Sequence, residues 1–82
     1  MNSNKGQERM AKVEVKAEVT GCVWKVEVAP GQAVSEGDAL IIIESMKMEI
    51  PVLTEVAGKV GSILVAEADY VNEGQAVVVI ET

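Results

Sequence analysis

The sequence predicts an all-β fold: a flattened barrel or sandwich of two similar four-stranded antiparallel sheets related by an internal pseudo-two-fold axis. Three observations lead there: apolar residues recur with period two, glycine-centred turns punctuate them, and the chain repeats itself once. Val13, Val15, Ala17 and Val19 alternate with Glu14, Lys16 and Glu18, as in a strand with one face in and one out. Trp24, Val26 and Val28 alternate likewise with Lys25 and Glu27. Residues 39–43 form an unbroken apolar run, read as a strand buried on both faces. Residues 60–65 and 76–80 repeat the two styles. Thr20-Gly21, Pro30-Gly31, Glu36-Gly37-Asp38, Ala57-Gly58 and Glu73-Gly74 supply turn chemistry between these segments. No window of helical length carries a 3.6-residue apolar stripe.

The repeat needs no gap. At an offset of 37 residues Gly21 falls on Gly58, Val23 on Val60, Val28 on Val65, Val34 on Val71, Gly37 on Gly74 and Ile43 on Ile80. Halves this small cannot each hold a core, so they are expected to pack face to face as one domain. The halves run roughly over 13–45 and 50–82, which leaves Met46-Lys47-Met48-Glu49 as their junction. Under the pseudo-two-fold the mate of this junction is the region of the chain ends. The junction is therefore expected at the end of the domain opposite the termini. Residues 1–10 are polar between two methionines and read as a disordered leader or expression remnant, with the domain over 11–82.

Composition narrows the function. Thirteen acidic residues against seven basic ones give a net charge of −6, and the lysines are scattered, so no basic stripe exists to displace the counterions of a nucleic acid. No apolar run approaches the length of a membrane span, and the N-terminal stretch has no apolar segment of the secretory kind; a cytoplasmic location is expected. Histidine is absent and Cys22 is the single cysteine. That removes Ser–His and Cys–His catalysis and any thiolate cluster, and leaves no expected metal site. Cys22 is read as a small apolar core residue. No pair of carboxylates is placed for general acid–base work. A carrier or binding module, not an enzyme, is the expected class.

One segment breaks the local rules. Two strand-like stretches flank Glu44-Ser45-Met46-Lys47-Met48-Glu49, so the chain reverses near Met46 and Lys47. Tight hairpin turns call for Gly, Asn or Asp, and none is there. Two methionines also expose apolar surface at a solvated tip. Sites where an otherwise consistent sequence departs from its own rules are often functional, and a strained protruding turn would present Lys47 to another protein.

This segment resembles the attachment motif of biotinyl domains, the biotin carboxyl carrier family. The core Met46-Lys47-Met48 matches, with Lys47 on the biotinylated lysine; Pro51, Val52 and the glycines at 21, 31, 37, 58 and 74 fit as well. The resemblance covers about residues 13–82. Ser45 stands where the family commonly has Ala, and the gapless repeat leaves no room for the protruding thumb some members carry. The resemblance implies a covalent biotin on Lys47, attached by a biotin protein ligase and shuttled between a biotin carboxylase and a carboxyltransferase. A lysine ammonium is protonated at neutral pH, so deprotonation and the activated acyl group fall to the ligase. Met46 and Met48 are expected to tune recognition, their soft side chains suiting several partners; the alternative is that they pack over the hairpin edge. Glu44, Ser45 and Glu49 are candidates for partner recognition, the two glutamates through charge or else as plain solvated strand-end charges. Two rival functions remain at this level. One is a lipoyl carrier domain, of similar fold but with Asp-Lys-Ala at the modified lysine. The other is an unmodified β-sandwich used only for interaction, with the methionine pair as its patch.

Overall fold

A computed structural model describes residues 11–82; the expected leader over 1–10 lies outside the described residues. Eight strands follow one another: β1 (Lys12–Lys16), β2 (Gly21–Val26), β3 (Ala33–Val34), β4 (Ala39–Ser45), β5 (Met48–Leu53), β6 (Gly58–Ile63), β7 (Tyr70–Val71) and β8 (Ala76–Glu81). They form two four-stranded antiparallel sheets, ordered β1-β8-β6-β3 and β5-β4-β2-β7. Among the described residues no helix is long and apolar enough to cross a membrane.

The offset of 37 carries β1 onto β5, β2 onto β6, β3 onto β7 and β4 onto β8. The connections between equivalent strands have equal lengths in the two halves, so the first half carries no thumb. The hydrogen bonds repeat too. Gly37 N–H donates to the Thr54 carbonyl at 2.8 Å, and Gly74 N–H to the Ala17 carbonyl at 2.8 Å. Ser35 N–H donates to the Asp38 carboxylate at 2.8 Å, and Asn72 N–H to Gln75 Oε1 at 3.0 Å. The pseudo-two-fold is thus present in backbone and turn chemistry alike.

The sheets do not coincide with the halves. Each takes two strands from either half: β2 and β4 lie between β5 and β7, while β6 and β8 lie between β1 and β3. The reason is that β4 and β5 are joined by the tight junction turn and pair as a hairpin, although they belong to different halves. The symmetry-related pairing is β8 with β1, the two ends of the described chain, closed by a hydrogen bond from Thr82 N–H to the Ala11 carbonyl at 2.9 Å. Exchange of strands makes neither half separable, as expected for halves without a core of their own.

The core is aliphatic: Val23, Val34, Leu40, Ile41, Ile43, Val52, Val60, Val71, Val77, Val78 and Ile80, with Ala17. Burial of each large side chain contributes about 1.5–3 kcal/mol. The apolar run at 39–43 has a different cause from the one its sequence suggests. The pairing of β4 with β5 shifts register between Ala39 and Ile41, and Leu40 and Ile41 are both buried while Ile42 is only partly so. A bulge turns two consecutive side chains inward; the strand is not covered on both faces. The same shift lies opposite Val77 in the equivalent strand. A second pair of irregularities sits at Trp24 and Gly61. It breaks the alternation of β2 and leaves Trp24 and Lys25 both exposed, against the reading that groups Trp24 with Val26 and Val28. Cys22 is corrected likewise: it is half-buried and outside the core cluster, because Gly21 and Val23 occupy the inward positions on either side of it.

One turn shows where the two halves differ. Gly31 has φ 86° and donates its N–H to the Val60 carbonyl; its mate Ala68 has φ 79° and donates to the Val23 carbonyl. An L residue in this region costs roughly 1–2 kcal/mol, and glycine loses about 0.4–1 kcal/mol more unfolded-state freedom. Ala68→Gly is therefore expected to stabilise the domain by about 0.5–1 kcal/mol, seen as a melting temperature several degrees higher. An unchanged or lower melting temperature would count against a left-handed Ala68.

Candidate functional site

The β4–β5 hairpin holds the candidate residues. Ser45 pairs with Met48 and Glu44 with Glu49, so Met46 and Lys47 are the two residues of the turn. Both have positive φ, 52° for Met46 and 65° for Lys47. That is the signature of a type I′ turn, which matches the right-handed twist of the flanking strands and normally takes Asn-Gly. Neither residue present is of that kind. The turn is held in a conformation that its own side chains disfavour, by the pairing of six residue couples along the hairpin behind it.

Exposure follows from this geometry. Met46 is 91% exposed, Met48 63%, and Lys47 is exposed between them. The methionines do not pack over the hairpin edge. Ser45 is half-buried and Glu44 and Glu49 are exposed, facing each other across the strand pair. Like charges directly opposite each other destabilise a sheet slightly, so this pair adds a second local cost beside the turn. The site is not a pocket. It is a projecting amine with an apolar collar and an acidic base, open to any protein that can enclose a two-residue turn.

The hairpin also lies where the repeat puts it. Under the offset, Ser45 maps onto Thr82 and Met48 onto Ala11. The Ser45–Met48 pair at the turn corresponds to the Ala11–Thr82 contact at the ends of the described chain. The turn and those ends therefore occupy opposite ends of the domain.

Sequence reasoning located the turn and its neighbours but overlooked two side chains on the same sheet. Trp24 and Tyr70, the only aromatics of the chain, are 45% and 68% exposed. The repeat held the signal: Trp24 falls on Gly61 and Tyr70 on Ala33, whereas large core residues fall on one another, Val23 on Val60, Val34 on Val71, Leu40 on Val77 and Ile43 on Ile80.

The chain is thus an all-β domain of two interleaved halves with an exposed lysine on the strained turn between them. A family model described as biotin-requiring enzyme matches residues 14–80, and the chain belongs to that biotin and lipoyl attachment family. It is 52% identical over 40 residues to the biotinylated protein TB7.3 homolog of Mycolicibacterium smegmatis, a match covering 49% of this chain and 56% of that protein. It is 44% identical over 39 residues to the biotin/lipoyl attachment protein of Bacillus subtilis, covering 48% and 53%. The matches thus span little more than half the length of these relatives. Among solved structures, the urea carboxylase of Kluyveromyces lactis superposes with a TM-score of 0.82 at 41% identity, over 85% of this chain and 6% of the carboxylase.

Proposed function

We propose that this chain is a non-catalytic biotin carrier, with biotin joined by an amide bond to Lys47 Nζ and moved between the active sites of a biotin-dependent carboxylase. The observation that carries the reading is the Met46-Lys47 turn: an exposed amine on a left-handed tip, at the far end of the domain from the Ala11–Thr82 contact. The family match and the urea carboxylase likeness support it.

Each feature has a part in that role. The rigid β4–β5 ladder fixes the direction of Lys47, so a partner meets one geometry of the amine and not a mobile loop. Amide formation removes the lysine charge, which lowers the cost of entering an apolar cleft. Biotin, when attached, supplies the carboxyl-carrying chemistry; the domain supplies attachment and a high local concentration of the arm near its partners. Met46 and Met48 form the apolar collar that a ligase must enclose, and Glu44, Ser45 and Glu49 the base it meets next. Biotin carboxylase and carboxyltransferase would approach the same end. The urea carboxylase likeness favours a carboxylase as the larger assembly.

The test is intact-mass spectrometry with avidin capture after incubation with biotin, ATP and a biotin protein ligase. One biotinyl increment is expected. The relative named biotin/lipoyl attachment protein makes lipoylation the alternative to separate: an increment with a lipoyl ligase and none with the biotin ligase would replace biotin by lipoate, and no increment with either would leave an interaction module.

The turn itself offers a further check. Asn tolerates the left-handed region far better than Met, so Met46→Asn is expected to stabilise the hairpin by about 0.5–1 kcal/mol while removing the thioether. Biotinylation is expected to slow despite the gain in melting temperature. A faster or unchanged rate would remove Met46 from recognition.

A further inference from the structure

The repeat provides an internal control, because it builds the same backbone twice and any difference in surface chemistry must come from side chains alone. Consider the outward row of residues next to the hairpin turn. Across β5, β4, β2 and β7 it reads Glu49, Glu44, Cys22, Tyr70 in register. Its mate across β1, β8, β6 and β3 reads Lys12, Glu81, Lys59, Ala33. The second row alternates charge and ends on a small residue, as a surface meant only for water would. The first sets two carboxylates side by side and continues into a half-buried thiol and an exposed phenol. Further from the turn, Trp24 stands where the other sheet has Gly61, with Lys25 Nζ 5.6 Å from its ring centroid. Both aromatics of the chain are thus exposed on the sheet that carries Lys47, and the core contains neither.

We propose that this outer face, anchored by Trp24 and Tyr70 and bordered by Glu44 and Glu49, is a docking surface for the biotin protein ligase, used together with the hairpin turn. The inference rests on Lys47 as the modified residue. Its occupant follows from reach. The turn projects only two residues beyond the Ser45–Met48 pair, and Glu49, where the row begins, lies about 7 Å behind Lys47 along the strand. An enzyme that must bring its reacting atoms to the lysine amine itself has to close over this row. A partner that acts at the far end of an attached arm can stand clear of it. Charge points the same way: an enzyme that holds an acyl-adenylate gathers cationic groups around the phosphate, which complements the facing carboxylates of Glu44 and Glu49. Exposed Trp and Tyr are the side chains most enriched among residues that dominate binding energy.

The experiment measures steady-state biotinylation of the whole chain by a purified biotin protein ligase with biotin and ATP, for the wild type, Trp24→Ala, Tyr70→Ala and the double variant. Lys59→Ala and Ser62→Ala serve as controls on the other sheet. The double variant is expected to raise the KM for the carrier at least tenfold with kcat within twofold of wild type, and the controls to change neither. As a direct readout, the chain carrying Lys47→Arg and 5-fluorotryptophan at position 24 is titrated with unlabelled ligase; the fluorine resonance is expected to shift and broaden. An unchanged KM in the double variant, or an equal rise in the controls, overturns the docking face while leaving Lys47 as the site. A fluorine signal insensitive to ligase does the same. A wild-type chain that the ligase does not modify overturns the biotin reading and this inference with it.

Discussion

Lys47→Arg is expected to reduce biotin incorporation to background while leaving the fold intact. The substitution keeps a long cationic side chain on the turn, so the apolar collar of Met46 and Met48, the hairpin pairing and the surface charge all persist. What it removes is an amine that can lose a proton and attack an activated acyl group; a guanidinium stays protonated in proteins and has no such nitrogen to offer. Because the side chain is exposed, the change in stability is expected within about 0.5 kcal/mol. Avidin capture and intact mass read the first effect, and thermal melting the second. Among the described residues the other lysines are Lys12 and Lys16 in β1, Lys25 in β2 and Lys59 in β6. All sit within strands, where a partner would have to engage a flat ladder instead of a tip. Incorporation retained in Lys47→Arg would move the attachment to one of these or beyond the described residues, and the strained turn would need another explanation.

The contrast between tip and ladder also explains what was legible in the sequence. The period-two alternation of residues 13–19 marks β1 and its inward face, because a half-buried strand writes its environment directly into side-chain type. Gly21 and Gly58 mark the repeat, because a backbone that comes too close to a neighbour admits only one residue. The turn was found through an absence, the lack of Gly or Asn where a reversal had to occur. Two things stayed hidden, for a common reason. A bulge alters which way a side chain points without altering its type, so Leu40-Ile41-Ile42 looks the same whether both faces are covered or one register step is skipped. Trp24 was placed with Val26 by the same blindness. Likewise the repeat reports which strands are equivalent and not which are neighbours. The reversal at Met46-Lys47 points to the pairing of β4 with β5, but that β1 pairs with β8, at the two ends of the described chain, is a tertiary fact.

The two repeat glycines give the largest expected effect on stability and connect the fold back to the site. An alanine Cβ at Gly21 would collide with the Glu44 carbonyl oxygen and come within 2.9 Å of Ile43 Cγ2; at Gly58 it would collide with the Glu81 carbonyl oxygen and come within 3.0 Å of Ile80 Cγ2. In each case the obstructing atom is strand backbone beside a fully buried isoleucine, so relief requires a shift of β4 or β8 away from β2 or β6. Overpacking of this kind costs about 1–3 kcal/mol and occasionally more, and backbone obstruction belongs at the upper end. Gly21→Ala and Gly58→Ala are each expected to destabilise the domain by roughly 3 kcal/mol, a fall in melting temperature of about 12–24 °C for a domain of this size. Their equality would be the thermodynamic expression of the pseudo-two-fold. Function should break the tie. Displacement at Gly21 is transmitted to Glu44, three residues from Lys47 and paired with Glu49 at the base of the turn. Displacement at Gly58 is transmitted to Glu81, beside the Ala11–Thr82 contact at the opposite end. At a temperature where both variants are folded, biotinylation of Gly21→Ala is expected to fall severalfold while Gly58→Ala keeps the wild-type rate. Equal losses of rate would mean that the hairpin senses the stability of the whole domain and not the position of the strand beneath it.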